Sequence, residues 1–521
     1  MKTKNVQSDD AEQRVGLLVT SEDMKQATGD LRPRDNNVKN GKLFVCCACA
    51  LMAAFSMGLA IGYSSPADPD LQSKGILSRD QVSWFAALVT IGAMIGGLIA
   101  GFLVGLVGRK LTLMTCALPF VAGWVLLATC TAVWLLYIGR ILTGIGAGMT
   151  TLVTPVYIAE MSSPQLRGML GASFQLMITL GILVAYALGI PFNHVWLAIV
   201  GAGFAAALVV TMCFMPDTPR FYLSQHQRER ALVVLGWLRG PNADVGVECR
   251  EIEDALDNSN ESFSIREFCQ VSLLKPLFIS IMLMIFQQCS GINAVMFNAK
   301  DIMTSAVQGI SPDAATIVLA AVQVGATFVS VILMDVTGRK ILLILGGALM
   351  AISSGTFGLY YQLTGNQNIT TTVVPACDFL GSATVCPSPA DHPDLTWLSL
   401  VSIIIYIIGF SIGWGPIPWL IMSEIFPTKA RGAASAIATV TNSMFAFLVT
   451  KTFTQLEDAL TRQGTFWLYA GVCVVSVIFV LFLVPETKGK TLEEIEAGFT
   501  GQNLHSNVHP TSDPDKDGVN D

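Results

Sequence analysis

Twelve long apolar runs limit what this chain can fold into more than any other feature of its sequence. A helix that crosses the hydrocarbon core of a bilayer needs about 20 apolar residues, and each run reaches that length. The runs cover residues 43–65, 81–106, 111–131, 134–158, 169–190, 195–215, 275–299, 313–335, 341–361, 397–424, 433–455 and 465–484. Charged residues make up only 13% of the 521-residue chain, roughly half the share of a soluble domain. The runs therefore predict an all-α membrane protein with twelve transmembrane helices.

The basic residues between the runs predict how the chain is oriented in the membrane. An even number of spans places both termini on one side, and the basic residues on that side are Arg109, Lys110, Arg167, Arg220, Arg339, Lys340, Lys429, Arg431, Lys488 and Lys490. The long loop at 362–396, on the other side, contains no Lys or Arg. Because cytosolic loops carry the excess of basic residues, we expect both termini to be cytosolic.

Short charged motifs occur twice in the same order and divide the chain into two halves. The repeated motifs are GRK at 108–110 and 338–340, a glutamate seven residues before an arginine, and PDTPR at 216–220 against PETKG at 485–489. The predicted organisation is a cytosolic tail at 1–42, a six-helix half at 43–215, a cytosolic linker with short helices at 216–274, a six-helix half at 275–484 and a cytosolic tail at 485–521. Repeated halves are typical of transporters that rock around a binding site at the middle of the membrane.

The repeated charges predict a gate at the cytosolic helix ends. The residues concerned are Arg109, Glu160, Arg167, Arg220, Asp335, Arg339, Glu424, Arg431 and Glu486. Opposite charges that pair across helices at the membrane edge cost far less than charges at its centre. We expect these pairs to hold the inner mouth closed in one state and to separate in the other. The alternative is that the charges only set the topology; their repetition in both halves favours the gate.

Five longer motifs carry a family resemblance. They are GRILTGIGAGMTTLVTPVYIAEMSSPQLRG, PDTPRFYL, QQCSGINAV, GWGPIPWLIMSEIFPTKARG and VPETKGKTLEEIE. Together they resemble the sugar-porter family of the major facilitator superfamily over residues 43–497, and within it the class III facilitative hexose transporters. The resemblance implies two six-helix halves and the uniport of a hexose, glucose first of all, by alternating access. In GIGAG, at 144–148, the small residues of the fourth helix predict close helix packing.

The resemblance also assigns the sugar contacts. The family positions that match are Gln175 in the fifth helix, Gln287, Gln288 and Asn293 in the seventh, and Trp419 in the tenth. Gln323 and Asn442 occupy polar positions of the eighth and eleventh helices. An amide donates and accepts hydrogen bonds as a sugar hydroxyl does, and the indole offers a flat face to sugar C–H groups. The alternative is hydrogen bonding between helices, which weighs equally for Gln323 and Asn442, whereas sugar contact is favoured in the seventh helix.

The seventh helix also predicts a bend. At about 100° per residue, Gln288 and Asn293 point about 140° apart on a regular helix. Ser290 and Gly291 lie between them and are expected to bend the helix, so that the amides turn toward a central cavity. Asn298 stands where many relatives carry an aromatic gate residue, and we expect it to take part in gating.

The sequence of the first helix indicates whether a proton gradient drives transport. Proton-coupled relatives carry an aspartate where this chain has GYSS, and Ser64 does not titrate near neutral pH. Asp68 and Asp70 are expected just outside the membrane, in an exposed loop. Facilitated diffusion is therefore preferred, with a proton-coupled symporter or a non-transporting sugar sensor as alternatives. The sequence contains no nucleophile–base pair, metal cluster or nucleotide loop, so we expect no enzyme activity, cofactor or metal.

The tails and the long loop carry the remaining expectations. Leu17 and Leu18 resemble the dileucine sorting signal of the subgroup, which implies sorting adaptors and an endosomal or lysosomal membrane besides the plasma membrane. The alternative is that they are only two apolar residues of the tail. Asn368 with Thr370 forms a glycosylation sequon. Cys377 and Cys386 share the same loop and could pair if it faces an oxidising compartment. The expected partners are a small sugar, the lipid bilayer and those adaptors, and not a nucleic acid.

Overall fold

The computed structural model describes residues 40–163, 166–240, 244–257, 271–306, 311–364, 396–426 and 428–488. Within these ranges all regular structure is helical. The helices of the first half are α1 (Gly41–Gly62), α2 (Ser64–Ser73), α3 (Arg79–Val107), α4 (Arg109–Thr129), α5 (Val133–Met161), α6 (Arg167–Leu188) and α7 (His194–Cys213). The helix α2 continues the direction of α1, so these seven helices make six membrane spans.

The described parts of the linker and of the second half are also helical. The linker helices are α8 (Pro219–Ser224), α9 (Arg228–Arg239) and α10 (Val245–Asp257). The helices of the second half are α11 (Val271–Cys289), α12 (Ile292–Phe297), α13 (Ala299–Ala306), α14 (Pro312–Thr337), α15 (Arg339–Leu363), α16 (Thr396–Gly409), a π-helical turn (Phe410–Trp414), α17 (Ile417–Ile425) and α18 (Thr428–Leu483).

The predicted twelve spans are present, although the last two share one helix. Among the described residues, 11 helical stretches are long and apolar enough to cross a membrane. The last of them, α18, contains 56 residues and is broken at Thr461, where φ is 65° and ψ is 165°. This break separates an eleventh span from a twelfth. The chain therefore forms an all-α membrane protein of two six-helix halves.

Small residues bring α3 and α5 into close contact, as the GIGAG motif predicts. A Cβ on Gly144 would overlap the backbone carbonyl of Val89, and one on Gly148 would overlap that of Ala93. The reverse holds for Gly92, whose added Cβ would meet the carbonyl of Ile141. Because lipid supplies no hydrophobic drive for helix association, this close backbone contact supplies the packing energy between the two spans.

The membrane-spanning helices run between two opposite faces of the bundle. The terminal face is the end where α1 begins and α18 ends, and it also carries the GRK motifs at 108–110 and 338–340. The loop face is the opposite end, where α2 ends and α7 begins. The helix α15 ends at the loop face, at Leu363.

The prediction that Asp68 and Asp70 lie in an exposed loop is wrong. Both belong to α2, and Asp68 is only 6% exposed, whereas Asp70 is half-buried and contacts His194. The apolar run ends before this segment, but α2 continues as a helix that packs against α3, α6 and α7. Several other expectations fall on Leu17, Leu18, Asn368, Cys377 and Cys386, which lie outside the described residues, as do the side chains of Asp335 and Arg431.

Candidate functional site

The seventh span is broken in the middle, as its sequence predicts. The helix α11 ends at Cys289, Gly291 has a φ of 93°, and α12 begins at Ile292. A positive φ is readily adopted only by glycine, which explains the residue at this position. The hydroxyl of Tyr406 donates to the backbone oxygen of Ser290 at 2.9 Å. This bond satisfies a carbonyl that the break leaves without a helical donor.

Four amide side chains form one continuous hydrogen-bonded chain across two membrane spans. Asn293 Nδ2 donates to Gln288 Oε1 at 2.6 Å, and Gln288 Nε2 donates to Asn442 Oδ1 at 3.1 Å. Asn442 Nδ2 donates in turn to Gln287 Oε1 at 2.7 Å. We call Gln287, Gln288, Asn293 and Asn442 the amide chain. The break at Gly291 brings Asn293 back to Gln288, which a straight helix would prevent.

The amide chain ends on backbone carbonyls of the tenth span. Gln287 Nε2 donates to the carbonyl oxygens of Trp414, at 2.6 Å, and Gly415, at 3.0 Å. The carbonyl of Trp414 has no helical donor because residue 418 is a proline and lacks an N–H group. The motif GWGPIPW therefore supplies an acceptor that the seventh span uses. Sequence reasoning missed this contact, although Pro418 is its signal.

Hydrogen-bonding capacity is distributed unevenly along the amide chain. Both hydrogens of the Gln287 amide are used by backbone carbonyls, and this side chain is 3% exposed. Gln288 uses one of its two amide hydrogens, and Asn293 is half-buried with its Oδ1 and one hydrogen unused among the described contacts. Groups that still have free donors and acceptors can exchange hydrogen bonds with a polyhydroxylated molecule. The free capacity therefore lies on Gln288 and Asn293.

The three remaining predicted contacts are not joined to the amide chain. Gln175 in α6 and Trp419 in α17 are half-buried, and Trp419 packs against the apolar core. Gln323 in α14 is 3% exposed, and its Oε1 has no hydrogen-bond donor among the described residues. A buried amide oxygen without a donor costs free energy, so this oxygen is available to an incoming hydroxyl group.

At the terminal face, the repeated charges pair within each half. Arg109 Nη2 lies 2.7 Å from Glu160 Oε1, and Arg339 Nη2 lies 3.2 Å from Glu424 Oε1. The threonine that follows the acid in each closing motif, Thr218 or Thr487, donates its hydroxyl to the other oxygen of the same glutamate. The two halves thus repeat one arrangement of an arginine, a glutamate and a threonine.

The acids of the closing motifs cap the helices that follow GRK. Asp217 accepts backbone N–H groups at the start of α4, and Glu486 accepts those of Arg339 and Lys340 at the start of α15. Burial raises the pKa of Asp217 above its ordinary value, although three backbone N–H groups act in the opposite direction. Burial also acts to raise the pKa of Glu486, but four backbone N–H groups together hold it below its ordinary value.

Two other arginines of the predicted gate, Arg167 and Arg220, lie outside these ion pairs. The side chain of Arg167, at the start of α6, is exposed, and that of Arg220 in α8 is half-buried. Neither takes part in an ion pair within the described part of the chain.

At the loop face, the two halves are joined directly. The hydroxyl of Tyr186 donates to the carbonyl of Met296 at 2.6 Å, and the backbone N–H of Lys300 donates to Ser65 Oγ at 3.1 Å. Lys451 Nζ lies 2.9 Å from Ser83 Oγ. The fully buried Phe297 packs against residues of α3. The loop face is therefore closed in this structure.

A cavity of about 150 Å³ remains between the halves at the loop face, and Asn298 lies on its wall. The side chain of Asn298 donates to the carbonyl of Ala294 at 2.9 Å and is not part of the amide chain. Ser65, Asp68 and Glu457 line the same cavity. Asn298 thus occupies the closed end of the seventh span, where the two halves meet.

Sequence reasoning missed a fully buried arginine in the fourth span. Arg140 of α5 is 0% exposed and donates to the carbonyls of Ala60, at 3.0 Å, and Phe85, at 3.2 Å. Its third bond goes to Ser64 Oγ at 2.5 Å. An arginine within an apolar run was the available signal, because charges inside a membrane span are rare and usually functional.

The family model described as sugar (and other) transporter matches residues 46–499. The chain is 41% identical over 491 residues to the facilitated glucose transporter member 8 of Bos taurus, covering 93% of this chain and 100% of that protein. It is 35% identical to the facilitated glucose transporter member 6 of Homo sapiens, covering 90% and 93%. It is also 35% identical to the facilitated trehalose transporter Tret1 of Polypedilum vanderplanki, covering 92% and 93%.

Solved structures of similar fold include two of the E. coli xylose transporter XylE. The inward-open conformation has a TM-score of 0.69 and 25% identity, over 87% of this chain and 99% of that chain. The proton:xylose symporter bound to 6-bromo-6-deoxy-D-glucose has a TM-score of 0.70 and 25% identity, over 88% and 100%.

Proposed function

The chain belongs to the sugar transporter family of the major facilitator superfamily, and we propose that it carries a hexose, glucose first of all, by facilitated diffusion. The similarity to facilitated glucose transporters along almost the whole chain supports this substrate class. The trehalose transporters among the relatives make a disaccharide the closest competing substrate.

The amide chain is the observation that carries this proposal. Gln288 and Asn293 retain free donors and acceptors at the middle of the bundle, and a hexose presents several hydroxyl groups that need both. In this proposal Gln287 and Asn442 hold the amide chain in place, while Gln288 and Asn293 contact the sugar. Gln175, Gln323 and Trp419 complete the sugar site from the fifth, eighth and tenth spans.

Neutral amides suit a carrier that must release its substrate. A charged group would lose more hydration energy when the sugar site closes, whereas an amide exchanges hydrogen bonds with water or sugar at similar free energy. The binding energy is then modest, and the sugar can leave on either side of the membrane.

Alternating access follows from the two faces of the bundle. We propose that the closed loop face opens when the contacts of Tyr186, Lys300 and Lys451 break. The pairs Arg109–Glu160 and Arg339–Glu424 stiffen the terminal ends of the two halves. We further propose that the terminal face is cytosolic, since the basic residues of the sequence lie there.

A proton-coupled symporter is the second candidate, and one observation favours it. Asp68 is a buried carboxyl that the charge of the buried Arg140 influences, and similar structures include a proton:xylose symporter. A protonophore distinguishes the two mechanisms, because only a symporter would lose sugar accumulation when the proton gradient collapses.

Uptake of a panel of labelled sugars by cells that lack hexose transporters tests the proposal. We expect glucose uptake by the wild type, and loss of uptake in Gln288→Leu, which removes hydrogen-bonding groups but keeps a similar volume. Gln362→Leu, at an exposed glutamine near the end of α15, is the matched control and should retain uptake. Undiminished uptake by Gln288→Leu at equal surface expression would refute the role of the amide chain.

A further inference from the structure

A lysine lies inside the eleventh membrane span. Lys451 belongs to the apolar run at 433–455 and precedes the break at Thr461 by ten residues, which is about 15 Å of helix. A cationic side chain within a span is costly, and such residues usually serve a function. Neither the repeated motifs nor the amide chain include Lys451, so the proposed sugar site leaves its charge unexplained.

The partners of the Lys451 side chain belong to the first half of the bundle. Its Nζ donates to Ser83 Oγ of α3 at 2.9 Å and lies 4.7 Å from the centre of the Trp84 ring. The hydroxyl of Ser83 donates in return to the backbone carbonyl of Lys451 at 3.3 Å. Among the residues that the structure describes, no carboxylate pairs with Lys451. Its charge is therefore held across the boundary between the halves by a hydroxyl group and an aromatic ring.

We call the contact of Lys451 with Ser83 and Trp84 the lysine lock. Ser83 is 8% exposed, and the Trp84 ring packs against Phe447 of α18, with 6.0 Å between the ring centres. The indole ring is the best aromatic partner of a cation, and a charged donor makes a stronger hydrogen bond than a neutral one. The lysine lock thus combines two favourable contacts that exist only while the halves touch.

Two other charged contacts show why the lysine lock stands apart. Arg140 is bound by groups of its own half, so its bonds can persist when the halves separate. Arg79 pairs with Asp458 across the boundary, but the two side chains are 65% and 66% exposed, and exposed ion pairs contribute little. Lys451 is half-buried and bound only across the boundary, so separation removes every partner that its side chain has in the described structure.

We propose that Lys451 is a positioning residue that holds the loop face closed in the empty carrier and thereby sets how readily sugar binds from that side. When the loop face opens, the ammonium group of Lys451 exchanges Ser83 and Trp84 for water. The closed state keeps both contacts, so the empty carrier rests with its loop face closed. This inference rests on the alternating access of the proposed function, and it adds the group that determines the balance between the two states.

The lysine lock has a consequence for sugar binding. The apparent affinity of a ligand falls with the fraction of protein that is in the binding-competent state. Loss of one charged hydrogen bond and one cation–π contact should raise the fraction with an open loop face by about tenfold. The KM for sugar added on the loop side should then fall severalfold. The KM for sugar added on the terminal side should change little, because the loop-closed state remains the larger population.

Access of a membrane-impermeant maleimide from the loop side of proteoliposomes tests this inference without sugar. A cysteine at Thr454, which lines the cavity between the halves, reports opening, and labelling of the parent protein without this cysteine is subtracted. Lys451→Met keeps a long side chain without the charge, and we expect it to raise the labelling rate by about tenfold. A nearby cation lowers the pKa of a thiol, so loss of the charge would by itself slow the labelling.

Matched variants separate the lysine lock from a general effect of charge. Lys451→Arg keeps a cation that can stack on the indole ring, and it should retain the slow labelling and the loop-side KM. Lys74→Met, also at the loop face, removes a lysine whose partner Asp70 lies in the same half, and it should leave both unchanged. Ser83→Ala should speed the labelling when Lys451 is present but not in Lys451→Met, because the two groups act as a pair.

The labelling rates decide the outcome. A rate that Lys451→Met leaves unchanged, or raises no more than Lys74→Met does, would overturn the proposal. A lowered Tm without faster labelling would equally overturn it, because Lys451 would then have only a structural role. If Lys451→Met does not reach the membrane, Trp84→Leu removes the ring from the other half; it should speed the labelling by a smaller factor, and an unchanged rate would count against the lysine lock. Since no sugar is present, these results do not depend on whether the chain carries glucose.

Discussion

The substitution Gly291→Ala tests whether the break in the seventh span builds the sugar site. Gly291 has a φ of 93°, a conformation that residues with a Cβ rarely adopt. An added Cβ would also lie 2.6 Å from two ring carbons of Tyr469, and 2.9 Å from a third. The ring cannot move easily, because Tyr469 is only 3% exposed and packs against Phe466.

Both effects can be given a magnitude. A left-handed conformation costs an alanine roughly 1–2 kcal/mol, and the forced displacement of a packed side chain costs about 1–3 kcal/mol. The sum is roughly 2–5 kcal/mol, unless the span straightens to escape it. Straightening would turn Asn293 away from Gln288 and break the 2.6 Å bond between them. The first response lowers the stability of the protein, and the second breaks the amide chain.

Thermal unfolding in detergent and glucose uptake by cells together measure the outcome. Gly291→Ala should lower both the Tm and the uptake per molecule at the surface. Gly325→Ala is the matched control, because its added Cβ meets open space in α14 and alanine favours a helix. A Gly291→Ala protein with the wild-type Tm and full uptake would refute the reasoning.

Three further predictions concern the sugar site, a helix cap and the sorting signal. Gln323→Leu should raise the KM for sugar without lowering the Tm, because Gln323 Oε1 has no donor to lose in the described structure; a lowered Tm with an unchanged KM would show helix contact instead. Glu486→Gln should lower the free energy of unfolding by about 1 kcal/mol at neutral pH, since backbone N–H groups lose a charged acceptor. Folding lowers the pKa of Glu486, so this carboxylate stabilises the folded protein at every pH above its ordinary pKa. The stabilisation disappears as the pH falls through the lowered pKa of the folded state. Tm values of the wild type and Glu486→Gln at several pH values check this prediction. Replacing Leu17 and Leu18 by alanine should move a tagged protein to the cell surface, and an unchanged location would exclude the sorting signal.

Much of the architecture was predictable because membrane spans follow from simple chemistry. A run of about 20 apolar residues has no other stable place, so the spans appear in the sequence with nearly the observed bounds. The break at Gly291 was also predictable, since glycine after serine in an otherwise helical run is a recognised site of bending. The repeated GRK motif likewise marks equivalent helix starts in the two halves.

The contacts that complete the site depend on distant parts of the chain and could not be read from a local pattern. Gln287 donates to the carbonyl of Trp414. The family resemblance assigned sugar contact to both Gln287 and Gln288, and it could not show that Gln287 is occupied by this helix contact. Asn442 was balanced between helix contact and sugar contact, and it bonds both Gln287 and Gln288. The separation of roles appears only when each amide hydrogen is assigned a partner.

The first helix shows a different limit of sequence reasoning. Hydropathy ends the apolar run near residue 65, so Asp68 looked exposed, yet α2 packs against other helices and buries it. Arg140 lies 72 positions later in the chain and supplies the nearby charge. Burial of a polar segment depends on its neighbours in space, and a hydropathy pattern does not contain them.

Counterflow of labelled glucose into proteoliposomes tests the central claim most directly. Wild-type protein in vesicles loaded with unlabelled glucose should accumulate label transiently, and a pH gradient imposed on vesicles without unlabelled glucose should drive no accumulation. Gln288→Leu should show no accumulation, while Gln362→Leu should match the wild type. Accumulation that persists in Gln288→Leu would contradict sugar binding by the amide chain, and accumulation that the imposed pH gradient drives and a protonophore abolishes would contradict facilitated diffusion.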